Sequence, residues 1–334
     1  MSAFTIPVGA GRHSPTIWNI AALNAVNSFA LLKLSALFFV LLSSSAEAMR
    51  EYPLPAAGSD LVGEVFWVTA RHEDTLVQMA REHGLGSHEL SRANPDVDAW
   101  LPGEGTRIRL PISFLLPPGP REGIVVNLAE YRLYYFPPGE DRVLTAPVGI
   151  GRDAFRTPVL ETRVTDRIEQ PSWTPPRSVR ESYASRGVEL ARVVPPGPDN
   201  PLGDYAMLLA APGYLIHGTN QSFGVGARVS HGCLRLYPED IERLIWEVPV
   251  GTPVRIIHAP YKVGWRGDEL ILQAHRPLTE FEGDDVGSAL RQQLGENLGG
   301  GRIDWELARE TARSAKGVPV VIGHRGGELA KTNN

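Results

Sequence analysis

The chain contains a single cysteine, Cys233, and two histidines lie close before it in the sequence. His231 is two residues before Cys233, and His217 is sixteen residues before it. A thiol becomes a useful nucleophile as the thiolate, which requires a neighbouring imidazole or a positive local field. This combination therefore indicates nucleophilic acyl-transfer chemistry, and burial of an inert thiol is the competing interpretation.

The two histidines are not equivalent partners for this thiol. In an extended segment, residues two apart point to the same side with parallel tips, so His231 is a poor base for Cys233. His217 ends a predicted strand, and folding can bring it opposite the thiol. We therefore predict that His217 is the general base, with His231 as the alternative.

Glycines and a positive charge support this candidate site. Gly232 lets the backbone turn tightly beside Cys233, so that successive amides could converge on one oxygen. Gly218 permits a close backbone approach next to His217. Arg235 places a fixed positive charge near the thiol, which suits a substrate that carries a carboxylate.

The elements that must position these residues are mainly strands. One helix is predicted from Pro238, with Ile241 and Leu244 on its inner face. Proline-rich stretches at 171–176 and 194–202 are predicted to be loops that form a lid or a wall of a functional site. The predicted strands are 124–128, 131–136, 143–150, 205–209, 214–217 and 254–257.

The composition is that of a globular protein, with 43% hydrophobic residues, 21% charged residues and a formal net charge of -5. These values exclude a globally disordered chain. No basic stretch resembles a surface that follows phosphates, so nucleic acid is not a predicted partner. The sequence has no H-E-x-x-H motif and its other histidines are scattered, so no metal or other cofactor is predicted.

Residues 1–48 are predicted to be a signal peptide. Arg12 and Lys33 supply positive charge before a run at 34–42 that is apolar except for one serine, and Ala46-Glu47-Ala48 fits a cleavage site. An uncleaved membrane anchor is the alternative, although polar residues interrupt the longer apolar span. Export to an oxidising compartment makes an unpaired thiol a liability unless it is buried or has a chemical role.

Residues 63–112 have a strand–helix–helix–strand pattern, with Asp74 and Ser87 as predicted helix N-caps. The segment resembles a LysM module, a small peptidoglycan-binding domain, although Glu73 stands in place of the usual glycine. The resemblance implies affinity for peptidoglycan, and a spacer without sugar affinity is the alternative. The matching stretches are 73–76, 83–85, 94–95, 101–103 and 108–111.

Residues 259–334 are predicted to be a helical C-terminal extension. One helix is predicted around Val286 and Leu290, and a second over 304–313. No residue pattern in this region indicates chemistry, and the chain has no internal repeat.

Two motifs carry a resemblance to a known family, Ile-His-Gly-Thr at 216–219 and Ser-His-Gly-Cys-Leu-Arg at 230–235. They resemble the signature of the L,D-transpeptidase (YkuD-type) family, and the resemblance extends over residues 122–258. It implies a mainly β fold with a β-sandwich catalytic domain, a small α+β LysM-like domain before it, and a location in the periplasm. Further matching segments are 156–158 and, as in the Gram-negative periplasmic branch, 199–203 and 223–226.

Carried over residue by residue, the resemblance implies that Cys233 is the nucleophile and that His217 moves its proton. The Gly218 carbonyl would orient His217. The backbone amides around His231, Gly232 and Cys233 would form the oxyanion hole. The implied substrate-binding residues are Gly218, Thr219, Ser230 and Arg235.

The reaction that the resemblance implies is a two-step acyl transfer on peptidoglycan stem peptides. Cys233 attacks the carbonyl between diaminopimelate and the terminal D-Ala of a tetrapeptide stem, D-Ala leaves, and an amine resolves the thioester. The amine would belong to a neighbouring stem or to a lysine of an envelope lipoprotein. The alternatives are an L,D-carboxypeptidase, in which water resolves the thioester, and a catalytically silent wall-binding protein. The sequence indicates no oligomeric state.

Overall fold

The computed structural model describes residues 49–281, 283, 285–294 and 301–325. The predicted signal peptide, residues 1–48, lies outside the described residues. Within these ranges no helix combines the length and the apolar character that crossing a membrane requires. The described strands form a nine-stranded sheet, a four-stranded sheet and three two-stranded sheets.

The first region, residues 49–115, contains two short helices and five strands. Leu76, Met79 and Ala80 recur at helical spacing and are buried, so the first helix packs its apolar face on the core. The predicted strand–helix–helix–strand order is present, while the resemblance to a LysM module stays a prediction. The elements are β1 (Arg50–Pro53), β2 (Leu61–Gly63), β3 (Phe66–Thr69), α1 (Leu76–Glu82), α2 (Ser87–Ala93), β4 (Arg107–Leu110) and β5 (Ser113–Leu115).

The N-caps of these helices differ by one residue from the prediction. Thr75 rather than Asp74 caps α1, because the Thr75 hydroxyl accepts a hydrogen bond from the Gln78 amide at 3.2 Å. In α2, Gly86 takes the cap position and Ser87 is the first helical residue. The polar residues of the sequence therefore locate both helix starts to within one position.

The central region, residues 116–258, supplies most of the nine-stranded sheet. Leu144 near one end of the sheet, and Ile216 and Leu234 at the other, are buried in one core, so the sheet curls around it. The mainly β fold predicted for this region is confirmed. The elements are β6 (Gly123–Asn127), β7 (Arg132–Phe136), β8 (Arg142–Pro147), β9 (Ile150–Gly151), β10 (Leu160–Glu169), α3 (Arg177–Ala184), β11 (Tyr205–Leu209), β12 (Leu215–His217), β13 (Arg228–Ser230), β14 (Leu234–Arg235), α4 (Pro238–Glu247) and β15 (Pro253–Ile257).

The order of the large sheet is β1-β8-β7-β6-β15-β10-β11-β12-β14, and β9 pairs separately with β13. Neighbours are antiparallel except for the parallel pairs β15–β6 and β12–β14. The predicted helix is α4, with Pro238 at its start and Ile241, Leu244 and Ile245 buried. Strand β14 is therefore an edge strand, and it carries the end of the cysteine motif.

An excursion between β10 and β11 holds the two proline-rich stretches that were predicted as loops. They flank α3, a helix that was not predicted from the sequence. A backbone bridge between Trp173 and Val194 closes the base of the excursion, and Val179 of α3 is buried. The excursion is therefore a folded segment rather than an extended loop.

The C-terminal region contains the two predicted helices, but the prediction of a helical extension did not include its strands. Both helices accompany a four-stranded sheet of order β16-β17-β19-β18. Leu270, Ile271 and Leu272 are buried in its central strand, which pairs with a strand about fifty residues further on. The elements are β16 (Tyr261–Arg266), β17 (Glu269–Ala274), α5 (Val286–Leu294), β18 (Arg302–Ile303), α6 (Trp305–Ser314) and β19 (Pro319–His324).

Two buried ion pairs join the three regions. Arg132 Nη2 of β7 lies 2.6 Å from Glu89 Oε2 of α2. Lys262 Nζ of β16 lies 2.7 Å from Glu130 Oε1, and the Tyr134 hydroxyl donates a hydrogen bond to the same carboxylate at 2.5 Å. We call Glu89, Arg132, Glu130 and Lys262 the interface charges. Each of these buried cations has a carboxylate partner.

The first region also contacts the loop that precedes Cys233. Gly86, the N-cap of α2, packs backbone against backbone on Gly226, and a Cβ added to Gly86 would lie 2.8 Å from the Gly226 Cα. Nearby, the Tyr237 hydroxyl donates to the Leu85 carbonyl at 3.4 Å. The glycine at position 226 therefore has a packing role between two regions.

Candidate active site

His217, Cys233 and Arg235 meet through the register of two parallel strands. Strand β12 pairs with β14 so that His217 lies beside Arg235, and Cys233 immediately precedes β14. Neighbouring residues of paired strands, and residues two apart in an extended segment, point to the same face. The three side chains therefore lie on one face at the edge of the large sheet.

The Cys233 side chain is partly buried, and its thiol donates a hydrogen bond to the Gly213 carbonyl at 3.6 Å. Burial raises the pKa of the thiol, while the Leu215 amide and the Arg235 guanidinium act in the opposite direction. The thiol is therefore protonated at neutral pH in this arrangement. It needs a base to become a nucleophile.

His217 is 3% exposed, and its Nδ1 lies 2.6 Å from the Gly218 carbonyl oxygen. Because a carbonyl only accepts, Nδ1 carries the proton and Nε2 is left as an acceptor. Burial and then the charge of Arg235 lower the pKa of His217 to about 4, against hydrogen bonds that the imidazole donates to the backbone at Gly218 and Leu202. At neutral pH the imidazole is uncharged, which is the form that accepts a proton.

The thiol and the imidazole each bond to a backbone carbonyl, of Gly213 and of Gly218 respectively. Both groups are therefore uncharged, which differs from a preformed thiolate–imidazolium pair. Proton transfer requires the thiol to turn from the Gly213 carbonyl toward the imidazole. The site thus holds a resting nucleophile and a neutral, oriented base.

A tight turn at 230–233 fixes the backbone around the thiol. Gly232 has a φ of 105°, which favours glycine, and its amide donates to the Ser230 hydroxyl at 3.1 Å. The same hydroxyl donates to the Cys233 carbonyl at 2.6 Å, and the Thr157 hydroxyl donates to the Gly232 carbonyl at 2.8 Å. Since the Gly232 amide is bound to Ser230, an oxyanion hole built on this turn rests on the amides of His231 and Cys233.

The His231 ring is held on the other side of the turn. Arg152 Nη2 lies 2.8 Å from His231 Nε2, and because a guanidinium only donates, Nε2 is the acceptor. Burial lowers the pKa of His231 to about 4, and Arg152, Arg186 and Arg235 add to this effect. The lone pair on Nε2 is used by Arg152, so this ring is a poor base for Cys233.

Arg235 is anchored through its backbone, which exchanges hydrogen bonds with Gly149 at 2.9 and 2.8 Å. Burial lowers the pKa of its guanidinium, and the buried Nε has no hydrogen-bond partner. Among the described residues, no carboxylate lies within 4.0 Å of this guanidinium. A positive charge in such a position suits an anionic group of a substrate.

Gly218 and Thr219 shape the loop after β12. The Gly218 amide donates to the Tyr205 carbonyl at 3.1 Å, and a Cβ at Gly218 would lie 3.0 Å from Ile241 Cγ2. The buried Thr219 hydroxyl accepts from the Gln221 amide at 2.9 Å. Like the Ser230 hydroxyl, the Thr219 hydroxyl is therefore bound within the protein, and direct contact with a substrate would break a hydrogen bond.

Three contacting residues were absent from the predicted site. Arg152 and Ser182 contact each other at 3.0 Å beside His231, and Thr157 braces the Gly232 turn. Thr157 belongs to a segment that matched the family pattern, and this was the one sequence signal for its role. Arg152 and Ser182 carry no local motif, and their positions depend on how distant segments pack.

Comparisons with known proteins agree with the motifs. A family model described as the L,D-transpeptidase catalytic domain matches residues 121–256. The probable L,D-transpeptidase YcfS of Escherichia coli (strain K12) is 40% identical over 299 residues, covering 85% of this chain and 93% of that protein. The probable L,D-transpeptidase ErfK/SrfK of the same strain is 41% identical over 294 residues, covering 85% and 94%. The solved catalytic domain of the E. faecium L,D-transpeptidase is 21% identical, covers 41% of this chain and 96% of that chain, and has a TM-score of 0.32.

Proposed function

Because the chain belongs to the L,D-transpeptidase family and is an enzyme that acts on peptidoglycan, we propose that Cys233 holds the acyl group and that His217 moves the proton in its reaction. The observation that carries this proposal is the shared face of His217, Cys233 and Arg235, with His217 neutral and oriented by the Gly218 carbonyl. A nucleophile, a base and a positive charge are the parts that acyl transfer from a carboxylate-bearing peptide needs.

In the first step, the sulfur of Cys233 attacks the carbonyl between diaminopimelate and the terminal D-Ala of a tetrapeptide stem. His217 Nε2 takes the thiol proton as the carbon–sulfur bond forms. The carbon–nitrogen bond to D-Ala then breaks, and His217 returns the proton to the leaving amine. The amides of His231 and Cys233 stabilise the oxyanion between these events.

In the second step, an amine attacks the thioester and Cys233 leaves. His217 takes a proton from the attacking amine and passes it to the sulfur, which restores the thiol. The amine is the diaminopimelate of a neighbouring stem or a lysine of an envelope lipoprotein. Arg235 supports both steps by holding a carboxylate of the donor stem.

The remaining regions place this chemistry at the cell wall. The first region, residues 63–112, binds peptidoglycan as a LysM-like module and keeps the enzyme near its substrate. The segment 1–48 directs the chain to the periplasm, where stem peptides are accessible. The stretches that match a LysM module support the first assignment. The order of charged, apolar and small residues in segment 1–48 supports the second.

The test uses the exported form of the chain with purified tetrapeptide-containing muropeptides. Intact-protein mass spectrometry should detect an acyl adduct on the wild type and none on Cys233→Ala, while circular dichroism shows both proteins folded. Analysis of the products should give cross-linked stems and free D-Ala. Tripeptide without cross-links or amine adducts would indicate the L,D-carboxypeptidase, and a wild type without adduct would indicate a silent wall-binding protein.

A further inference from the structure

Two guanidinium groups beside the cysteine motif lack a carboxylate partner. Arg235 ends β14, and Arg152 directly follows β9, which is paired with the strand that leads into the motif. The Nε atoms of both side chains are buried without a hydrogen-bond partner. Among the described residues, no carboxylate lies within 4.0 Å of either guanidinium. Arg235 is part of the proposed site, whereas the one function of Arg152 described above is its contact with the His231 ring.

Arg152 is built into the wall of the site. Its amide donates to the Ser230 carbonyl at 3.1 Å, which fixes its backbone to the turn that carries Cys233. Its Nη2 lies 2.8 Å from His231 Nε2 and 3.0 Å from the Ser182 hydroxyl of α3. Its guanidinium carbon also lies 4.8 Å from the centroid of the Phe155 ring. None of these three partners carries a negative charge, so no anion balances the guanidinium.

A partly buried cation without a counterion is costly, because neutral acceptors do not replace the solvation that burial removes. The planar fork of an arginine matches a carboxylate through two parallel hydrogen bonds. The Ser182 hydroxyl contributes a single oxygen to that fork and belongs to the excursion between β10 and β11. An incoming carboxylate could replace it and complete the pairing.

We propose that Arg152 binds a free carboxylate of the donor stem peptide and makes the enzyme selective for stems whose carboxylates are not amidated. Arg235 lies two residues from Cys233 and meets the part of the stem nearest the reacting carbonyl. Arg152 lies beyond the His231 ring and meets a carboxylate further along the stem. This inference rests on the proposed function of Cys233.

The test compares two synthetic tetrapeptide stems, one with free side carboxylates and one with those carboxylates amidated. Cys233 of the wild-type protein should be acylated by the free stem with a kcat/KM at least about 10-fold higher than by the amidated stem, since hydrogen bonds to charged groups give differences of this size. Arg152→Gln should lose this preference through a higher KM, with kcat changed by less than about 3-fold. Arg177→Gln is the control: it removes an exposed positive charge from α3, the helix that carries Ser182. This variant should keep the preference for the free stem.

A neutral thiol reagent, iodoacetamide, separates binding from damage to the site. Cys233 of Arg152→Gln should react with iodoacetamide at the wild-type rate. A slower reaction together with a lower kcat would mean that Arg152 acts only by holding the turn at 230–233. Equal use of both stems by the wild type, or a retained preference in Arg152→Gln, would also overturn the inference while leaving Cys233 acylation intact. A wild type whose Cys233 is acylated by neither stem would instead contradict the proposed function.

Discussion

The molecule contains two sets of cations that are shielded from solvent, one fully buried at the interfaces between regions and one partly buried beside Cys233. At the interfaces, Arg132 lies 2.6 Å from Glu89, and Lys262 lies 2.7 Å from Glu130. Beside Cys233, the guanidinium groups of Arg152 and Arg235 have buried Nε atoms without partners and no carboxylate within 4.0 Å among the described residues. The two sets therefore differ in two respects: Arg132 and Lys262 are fully buried and paired with a carboxylate, whereas Arg152 and Arg235 are partly buried and have no carboxylate partner.

The difference follows from what each set must hold. The interface charges are buried from solvent, and a charge without a counterion there would destabilise the fold. In the proposed reaction, the charges at the site face a substrate that arrives and leaves, so an internal carboxylate would compete with it. We therefore expect substitutions at the two places to separate cleanly into effects on stability and effects on reaction.

Among substitutions at the site, His217→Ala should have the largest effect, and that effect is on the rate of Cys233 acylation. Acylation of Cys233 by a stem peptide should slow by about 10²–10⁴-fold, since this is the usual contribution of a positioned general base. The measurement is the rate of adduct formation by intact-protein mass spectrometry. His231→Ala is the matched control, and a near-normal rate in His217→Ala with a slow His231→Ala would move the base role to His231.

The largest expected effect at the interface is on the stability of Glu130→Gln. Removing the carboxylate leaves Lys262 buried without a counterion, which should lower the free energy of unfolding by about 3–5 kcal/mol. Denaturant unfolding of the two proteins measures this difference. The nucleophile should still react in the folded fraction.

Arg235→Gln is the matched control for that substitution. It also removes a positive charge, here from a partly buried position, but it leaves no charged partner behind, so the free energy of unfolding should change by less than about 1 kcal/mol. The kcat/KM for the stem peptide should fall instead. A large loss of stability in Arg235→Gln, or a small one in Glu130→Gln, would break the distinction between the two sets.

The smallest expected effect concerns a buried histidine at the interface. Burial lowers the pKa of His275 to about 3, with Lys262, Arg92 and Arg132 acting in the same direction and Glu130 opposing them. An unfolded histidine has a pKa of about 6.5, so below that pH the unfolded chain binds a proton that the folded chain does not. Stability therefore falls as the pH drops from about 6.5, by at most about 1.4 kcal/mol per pH unit for this group.

His275→Gln should remove this contribution and make the pH dependence of the free energy of unfolding less steep between pH 6 and pH 4, while His217 and His231 continue to contribute. The pH profile of Cys233 acylation should not change, because the proposed base is His217, whose own pKa is about 4. The wild-type acylation rate should therefore stay level with respect to this base down to about pH 5. A rate that already halves near pH 6.5 would mean that His217 titrates as an exposed histidine does.

The sequence predicted the centre of the site because its chemistry is local. Cys233 and His217 lie sixteen residues apart, and the glycines and the arginine around them belong to the same two short motifs. The contacts of Arg152 with His231 and of Thr157 with Gly232 span 79 and 75 residues. Such contacts depend on strand order and register, which residue types alone do not determine.

The fold was predicted where periodicity is strong and missed where pairing is distant. The inward residues of α4 follow the helical spacing, and α4 lies where the sequence placed it. The sheet of the C-terminal region was missed because Leu270 and Leu272 pair with a strand beyond α6. Lys262 and Glu130 were missed as core residues because single charged side chains are usually exposed.

The contact of Gly86 with Gly226 restricts how this chain can be divided or recombined. A side chain at either position would push two backbones apart, one in the first region and one in the loop that leads to Cys233. Cutting the chain in the proline-rich segment near residue 117 would therefore not release two independent domains. Each piece would expose its half of the Gly86–Gly226 contact. For protein engineering, the first region and the central region should be treated as one unit. A chimera that contains only one of them would have to replace the surface around the Gly86–Gly226 contact.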